Sequence, residues 1–274
     1  MIKYLSLFSG IGAFEKALQN LHIPYDLVGY CEIDKYASKA YSLLHNVPES
    51  MNFGDITKLD EKSLPTGIDL ITYGFPCQDI SLAGHQKGLL NEDGSRTRSG
   101  LFFDALRIIE HTQPKVAIAE NVKNLTAKKF SEQFSIVLNS LEEAGYNNYW
   151  QVLNAKDYGT PQNRERGRIG KQVAQTITTS PHQGAVVEAV SGRELNGLAI
   201  RKLTPKECFR LMGFDDSDVD KLIAQGISNT QLYKMAGNSI VVTVVENLFK
   251  QIYKPVTPSI ASLKQQSLDI LNNI

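Results

Sequence analysis

Gly74-Phe75-Pro76-Cys77-Gln78 sets a thiol directly behind a rigidifying proline, at the end of the apolar run Ile68 to Tyr73. A thiol attacks as its thiolate, a form favoured beside a helix N-terminus or basic groups; on its own, a single cysteine is as readily a small buried apolar group. The polar, glycine-containing stretch Ser81 to Ser99 that follows has the make-up of a mobile lid. A second candidate is Glu120-Asn121-Val122, behind the apolar run Lys115 to Ala119. A carboxyl group flanked by Ala119 and Val122 can serve as a proton donor, or more plainly as a loop or helix-cap carboxylate. In Gln162-Asn163-Arg164-Glu165-Arg166 two forked cations stand at alternate positions. In an extended segment both point the same way, ready for an oxyanion or a phosphate, unless they belong to a solvated charge run. Finally, the glycines of Phe8-Ser9-Gly10-Ile11-Gly12 allow close backbone approach to a ligand, and Glu32 follows 20 residues after Gly12. That spacing is the one from which a carboxylate reaches ribose hydroxyls. Glu15 stands where a dinucleotide fingerprint has its third glycine, so the pair points to an adenosine-bearing cofactor without a pyrophosphate, against the alternative of a tight turn and a solvated Glu.

These residues need elements to hold them, and the sequence supplies an alternation. Tyr4 to Phe8 reads as a strand, Ala13 to Leu21 as a helix, Tyr25 to Cys31 as a strand, and Lys35 to Leu44 as a helix. Ile68 to Tyr73, Lys115 to Ala119 and Tyr149 to Leu153 read as further strands, with helices at Gly100 to His111 and Glu132 to Ala144. Strands alternating with helices predict an α/β fold, a doubly wound and mostly parallel sheet. After Arg166 the rhythm gives way to Gly, Ser and Thr with one β-like run, Val173 to Thr179. Thr204-Pro205-Lys206-Glu207 then announces a helix by its capping box and its proline at the first helical position. Helices are expected at Pro205 to Leu211, Val219 to Gln225, Asn229 to Met235 and Val241 to Tyr253.

Composition narrows the class. The chain has 274 residues, 42% of them hydrophobic and 21% charged, as in an ordinary globular protein and unlike a fibrous or disordered one. Lys+Arg and Asp+Glu are both 29, so no whole-molecule field draws in nucleic acid and any such binding must rest on a local basic patch. Cys31, Cys77 and Cys208 share no C-x-x-C spacing, which disfavours a disulfide framework or a zinc knuckle. The apolar start Met1 to Phe8 carries no charged flank or cleavage site, and no apolar stretch reaches the length of a membrane span. A soluble protein of the reducing cytoplasm is expected.

Taken together and in order, these motifs resemble the cytosine-5 DNA methyltransferase family. Phe8 to Gly12 is similar to its first cofactor motif, Pro76-Cys77-Gln78 to its nucleophile motif, Glu120-Asn121-Val122 to its acid motif, and Gln162 to Arg166 to its Q-x-R-x-R motif. Gly54-Asp55-Ile56, Ser99 to Asp104, Arg201 to Phe214 and Ala236-Gly237-Asn238-Ser239-Ile240 extend the likeness over residues 3 to 253. The resemblance implies a Rossmann-like core that binds S-adenosylmethionine and releases S-adenosylhomocysteine, without a metal. It implies that Cys77 adds to carbon 6 of a flipped cytosine, that Glu120 protonates nitrogen 3, and that Arg164 and Arg166 hold the base's carbonyl oxygen or a flanking phosphate. Carbon 5 then takes the sulfonium methyl. It also implies Phe8 and Ile33 against the two adenine faces, Gly10 and Gly12 along the methionine, and Glu32 on the ribose. Asp55 would accept from the adenine amino group with Ile56 beside it, Pro76 and Leu101 would line the pocket, and Asn238 and Ser239 would touch the methionine end. Double-stranded DNA is the implied partner, with a cognate restriction endonuclease acting on the same site; no membrane partner is expected.

The chain departs from this pattern in one place. In the family, Q-x-R-x-R leads into an apolar strand and then a target recognition domain of roughly 80 residues or more. Here Arg166 runs into Gly167-Arg168-Ile169-Gly170, and the next similar motif begins at Arg201. The expected division is therefore a catalytic and cofactor-binding core over 1–166, a truncated recognition and small-domain region over 167–228, a segment returning to the core over 229–254, and a tail over 255–274. The shortening keeps two alternatives in play, a tRNA cytosine-5 methyltransferase and a catalytically inactive cofactor-binding scaffold. A cysteine hydrolase is disfavoured, because His85, His111 and His182 occupy no recognisable base position relative to Cys77.

Overall fold

The computed structural model describes residues 1–80, 88–91, 93, 95–160, 184–188 and 198–253. Four strands form one parallel sheet: β1 (Ile2–Leu7), β2 (Tyr25–Cys31), β3 (Leu70–Tyr73) and β4 (Val116–Ala119), in the order β2-β1-β3-β4. The order reverses between β1 and β3, and doubly wound sheets bind ligands at the carboxyl ends of the strands beside such a reversal.

Side chains alternate across the sheet and build two apolar cores. Tyr4 of β1, Leu70 of β3, and Val116 and Ile118 of β4 face one cluster; Leu5 and Leu7, Ile71 and Tyr73, and Ala117 face the other. The first cluster is covered by α1 (Ala13–Asn20), α2 (Lys35–His45) and the C-terminal helices; the second by α3 (Phe102–Thr112) and α4 (Ser131–Glu143). These helices form for local reasons. The Asp34 side chain caps α2 by accepting from the backbone N–H groups of Tyr36 and Ala37, and α1 starts from Gly12 in the left-handed region. An antiparallel hairpin, β5 (Gly184–Glu188) with β6 (Leu198–Lys202), precedes α5 (Pro205–Leu211), α6 (Asp216–Ala224), α7 (Asn229–Asn238) and α8 (Val242–Ile252). The capping box of Thr204 and Glu207 is present as expected. Phe14 of α1 packs on Phe249 of α8, and Lys16 reaches Asp215 and Asp218 at the start of α6, both at 2.8 Å.

Two expectations fail. Tyr149 to Leu153 is not a strand and has no regular structure: its sequence has strand character, but a strand exists only when a neighbour takes its backbone hydrogen bonds, and no described strand lies beside it. The second helix of the C-terminal group begins at Asp216 rather than Val219, because the Asp215–Asp218 capping box starts it three residues earlier. Neither hairpin strand, β5 or β6, has a counterpart in the sequence reading, and Val173 to Thr179 lies outside the described residues.

Candidate active site

The first loop turns on three left-handed residues. Phe8, Gly10 and Gly12 have φ of 54°, 56° and 78°, so the chain leaving β1 coils tightly at the strand end. Gly12 has no room for a side chain, since a Cβ there would fall 2.1 Å from Nε2 of the buried His45. That imidazole bonds the Ile11 carbonyl at 2.9 Å, and because a carbonyl only accepts, the proton sits on Nε2. Beneath it Glu15 is fully buried and accepts from the hydroxyls of Tyr4 and Tyr41, each at 2.9 Å. Gly10 is the opposite case: no atom lies within 4 Å of its Cβ position, so its α-carbon borders open space.

Glu32, just past β2, is locked onto this loop. One of its oxygens accepts the Gly10 N–H at 2.9 Å and the other the Asp34 N–H at 2.7 Å. Burial pushes its carboxyl above the usual range, and the Asp34 and Gly10 N–H groups pull it back. With the Gly10, Asp34 and Ile33 N–H groups on it, the carboxylate keeps an acceptor position for a ligand hydroxyl. Asn52 ties the neighbouring loop in: it takes the N–H groups of Glu32 (3.0 Å) and Gly54 (2.8 Å) and donates to the Glu32 carbonyl (2.8 Å). Asp55 then caps the short helix Ile56–Lys58, and its bonds to Thr57 hold its carboxyl below the usual range, ionised and ready to accept. Ile33 is 77% exposed beside this cradle, while Ile56 is buried in the core on which Phe8 and Leu101 also pack.

The second half of the site lies at the ends of β3 and β4. Cys77 is half-buried and packs on the same core as Phe8 and Leu101. Glu120 follows β4, with its N–H on the Tyr73 carbonyl at 3.1 Å, and one of its carboxyl oxygens lies 3.4 Å from the Cβ position of Gly74. At that distance the carboxyl is in van der Waals reach of Gly74, which opens the loop leading to Pro76 and Cys77. Asn121 fastens the two loops by donating to the Phe75 carbonyl at 3.0 Å, and Asn124 does the same to Ile80. Asp79 clamps the far side, accepting from the N–H groups of Arg98 (3.0 Å) and Ser99 (3.3 Å) at the entry to α3. The last motif returns here: Ile240 reaches within 3.8 Å of the Gly74 Cβ position, next to Asn238 and the buried Ser239.

Two stretches of the chain, residues 2–170 and 167–254, match the model of the C-5 cytosine-specific DNA methylase family. The chain belongs to this family. Among its relatives, the type II methyltransferase M2.ScrFI of Lactococcus lactis subsp. cremoris is 32% identical over 93% of this chain and 99% of its own length. The type II methyltransferase M.HhaI of Haemophilus parahaemolyticus is 30% identical over 89% and 92%. The orphan methyltransferase M.Rho11sI of Bacillus phage rho11s reaches 46% identity, over 60% of this chain and 32% of its own. The methylase is shorter than these full-length relatives. Two solved structures share its fold: the S. pombe Dnmt2 methyltransferase (TM-score 0.67, 21% identity, 94% of this chain and 100% of that one) and Entamoeba histolytica EhMeth (0.70, 17%, 93% and 98%).

The structure thus brings Phe8, Gly10, Gly12, Glu32, Asp55 and Ile56 to one end of the methylase sheet, and Cys77 and Glu120 to the adjoining strand ends. Arg164 and Arg166 lie outside the described residues, as does part of the Ser81 to Ser99 loop. The parts played by Asn52, Asp79 and His45 escaped the sequence reading, because each bonds backbone 19 to 34 residues away in sequence. Among the described residues no group of side chains is arranged to hold a metal ion, and no helix is long and apolar enough to cross a membrane.

Proposed function

We propose that this methylase transfers a methyl group from S-adenosylmethionine to carbon 5 of cytosine in DNA, through a covalent bond between the Cys77 sulfur and carbon 6 of a flipped base. The observation that carries this reading is the approach of the Glu120 carboxyl to Gly74, in the loop that leads to Cys77. Carbon 5 of cytosine is too weak a nucleophile on its own, and a thiolate added at carbon 6 turns the ring into an enamine. A proton given by Glu120 to nitrogen 3 relieves the charge that builds on the ring. Loss of the carbon 5 proton then breaks the sulfur–carbon bond and returns the thiolate. Carbon 6 is unreachable inside a stacked duplex, so the base must leave the helix. The other two thiols do not compete: burial pushes Cys31 up to about 12 and Cys208 up to about 11, so both stay protonated.

The loops fit the cofactor by their chemistry. Open space fronts Gly10 and Gly54, a carboxylate with a spare acceptor position stands at Glu32, and an exposed apolar side chain stands at Ile33. When bound, S-adenosylmethionine supplies an electrophilic methyl group. Glu32 would take the ribose hydroxyls and Asp55 the adenine amino group, with Phe8, Ile33 and Ile56 around the adenine. Pro76 and Leu101 would line the pocket, and Gly10, Gly12, Asn238 and Ser239 would border the methionine end. Arg164 and Arg166 are assigned to the base's carbonyl oxygen or a flanking phosphate. A cognate restriction endonuclease acting on the same site and a cytoplasmic location complete the reading.

The test is transfer of tritiated methyl to mixed-sequence duplex DNA, with tRNA and the Cys77→Ala variant alongside. Label in DNA that vanishes with the variant is expected. Label in tRNA alone, or none above the variant in a chain that still binds the cofactor, would overturn the reading in favour of an RNA enzyme or a scaffold.

A further inference from the structure

A protein whose basic and acidic residues number 29 each must meet a polyanion through a local group of cations. Such a group stands directly behind Glu120. Between Glu120 and Glu132 the chain holds Lys123, Lys128 and Lys129 and no carboxylate side chain. All three lysines are exposed.

Their placement follows from the residues around them. Two short helical turns, Lys123–Thr126 and Lys128–Phe130, lead from β4 towards α4. Each turn sends one side chain inward: Leu125 and Phe130 are buried in the core that also takes Ile80 and Leu89. Thr126 and Ser131 donate their hydroxyls to the Lys123 and Lys128 carbonyls, at 2.9 and 3.0 Å, so the backbone is held while the lysine side chains stay at the surface. The Lys129 ammonium lies 5.4 Å from the Phe130 ring centroid, a contact that leaves its charge in place. Lys115, Lys206 and Lys234 each meet an aspartate, whereas Lys128 meets no carboxylate among the described residues.

The same segment holds the chain that follows Cys77 at two points. Asn124 donates to the carbonyl of Ile80, three residues past Cys77. Gln133, just beyond the lysine pair, accepts the Leu89 N–H at 3.1 Å. Lys128 and Lys129 therefore sit in a stretch pinned at both ends to the loop that bears the nucleophile, and Glu120 begins it.

A base that reaches Cys77 carries its own backbone with it, because flipping turns the nucleotide about its phosphodiester links and leaves the adjacent phosphates at the mouth of the pocket. We infer that Lys128 and Lys129, with Lys123 beside them, bind phosphate groups of the DNA strand flanking the flipped cytosine and seat the duplex over the Cys77 loop. Such contacts fix position and orientation and carry no base sequence. Lysine suits the task, since its compact charge on a flexible stem makes no demand for a planar, two-pronged partner. The inference rests on the methyltransferase reading for the identity of the polyanion.

The full chain, saturated with S-adenosylhomocysteine so that no methyl group is transferred, is titrated with fluorescent duplex DNA of mixed sequence at a series of salt concentrations. Each phosphate contact releases counterions and adds about 0.9 to the slope of log affinity against log salt. Lys128→Gln combined with Lys129→Gln should bind about tenfold more weakly or worse and lose roughly 1.8 of that slope, equally on duplexes of different sequence. Its cofactor affinity and thermal transition should match those of the natural chain. Lys128→Arg combined with Lys129→Arg keeps both charges and should restore binding. Lys221→Gln combined with Lys250→Gln removes the same charge from α6 and α8, which cover the other core, and should change binding little. A Lys128/Lys129 glutamine variant with natural affinity and slope, or a Lys221/Lys250 variant that loses as much, overturns this inference and leaves the functional reading standing. A natural chain that binds no duplex DNA overturns the functional reading, and this inference with it.

Discussion

At the residue scale, two glycines two positions apart have different reasons to be glycine, and they predict different failures. Both have positive φ, which costs a substituted side chain about 1 kcal/mol or more. At Gly12 a methyl group also collides with the His45 imidazole and breaks its bond to the Ile11 carbonyl, deep in the core. Gly12→Ala should therefore lose more than about 2 kcal/mol of stability in denaturant unfolding. At Gly10 the methyl group meets only open space, so Gly10→Ala should fold with a loss of about 1 kcal/mol yet bind S-adenosylmethionine at least about tenfold more weakly by calorimetry. Equal stability losses, or unchanged cofactor affinity in Gly10→Ala, would contradict this division.

At the element scale, the site is a set of strand ends held in register by side chains that cross between loops. Asn52 joins the β2 end to the Asp55 loop, Asn121 joins the β4 end to the Cys77 loop, and Asp79 joins the Cys77 loop to α3. None of these was legible in the sequence, since an amide that reaches backbone 46 residues away, as Asn121 does, leaves no local pattern. The motifs themselves were legible, because a strand-end glycine turn, a Pro-Cys pair and a capping box are short-range. So was the sheet as far as β4, where apolar runs and helical periods alternate. The misreading of Tyr149 to Leu153 has a physical cause: alternation reports strand propensity, but a strand exists only where another strand pairs with it, and none of the described strands does. The hairpin of β5 and β6 was missed because its two short runs sit in Gly, Ser and Thr-rich sequence without a tight turn signal.

At the scale of the whole molecule, the buried polar group under the cofactor loop makes folding sensitive to pH. Burial lowers the pKa of His45 below its ordinary 6.5, only partly opposed by the nearby Glu15. The folded state therefore resists taking up this proton while the unfolded state accepts it. The contribution of His45 is intact above about pH 6.5 and is lost as pH falls toward the lower folded value, by at most about 1.4 kcal/mol per pH unit. Unfolding free energies measured from pH 7 to pH 5 should decline more steeply in the natural protein than in His45→Gln; identical slopes would remove His45 from this account. The neutral net charge adds no long-range attraction for DNA. Binding must then come from local groups.

The central claim, a transient bond from Cys77 to the target base, is tested most directly with duplex DNA in which 5-fluorocytosine replaces cytosine. Fluorine at carbon 5 cannot be lost as the proton is, so the sulfur–carbon bond, once methyl transfer has occurred, should persist. The account predicts a denaturation-resistant protein–DNA complex that needs S-adenosylmethionine, maps by mass spectrometry to the peptide containing Cys77, and is absent in Cys77→Ala. A complex that survives that substitution, or none at all in a chain that binds both cofactor and DNA, would contradict it.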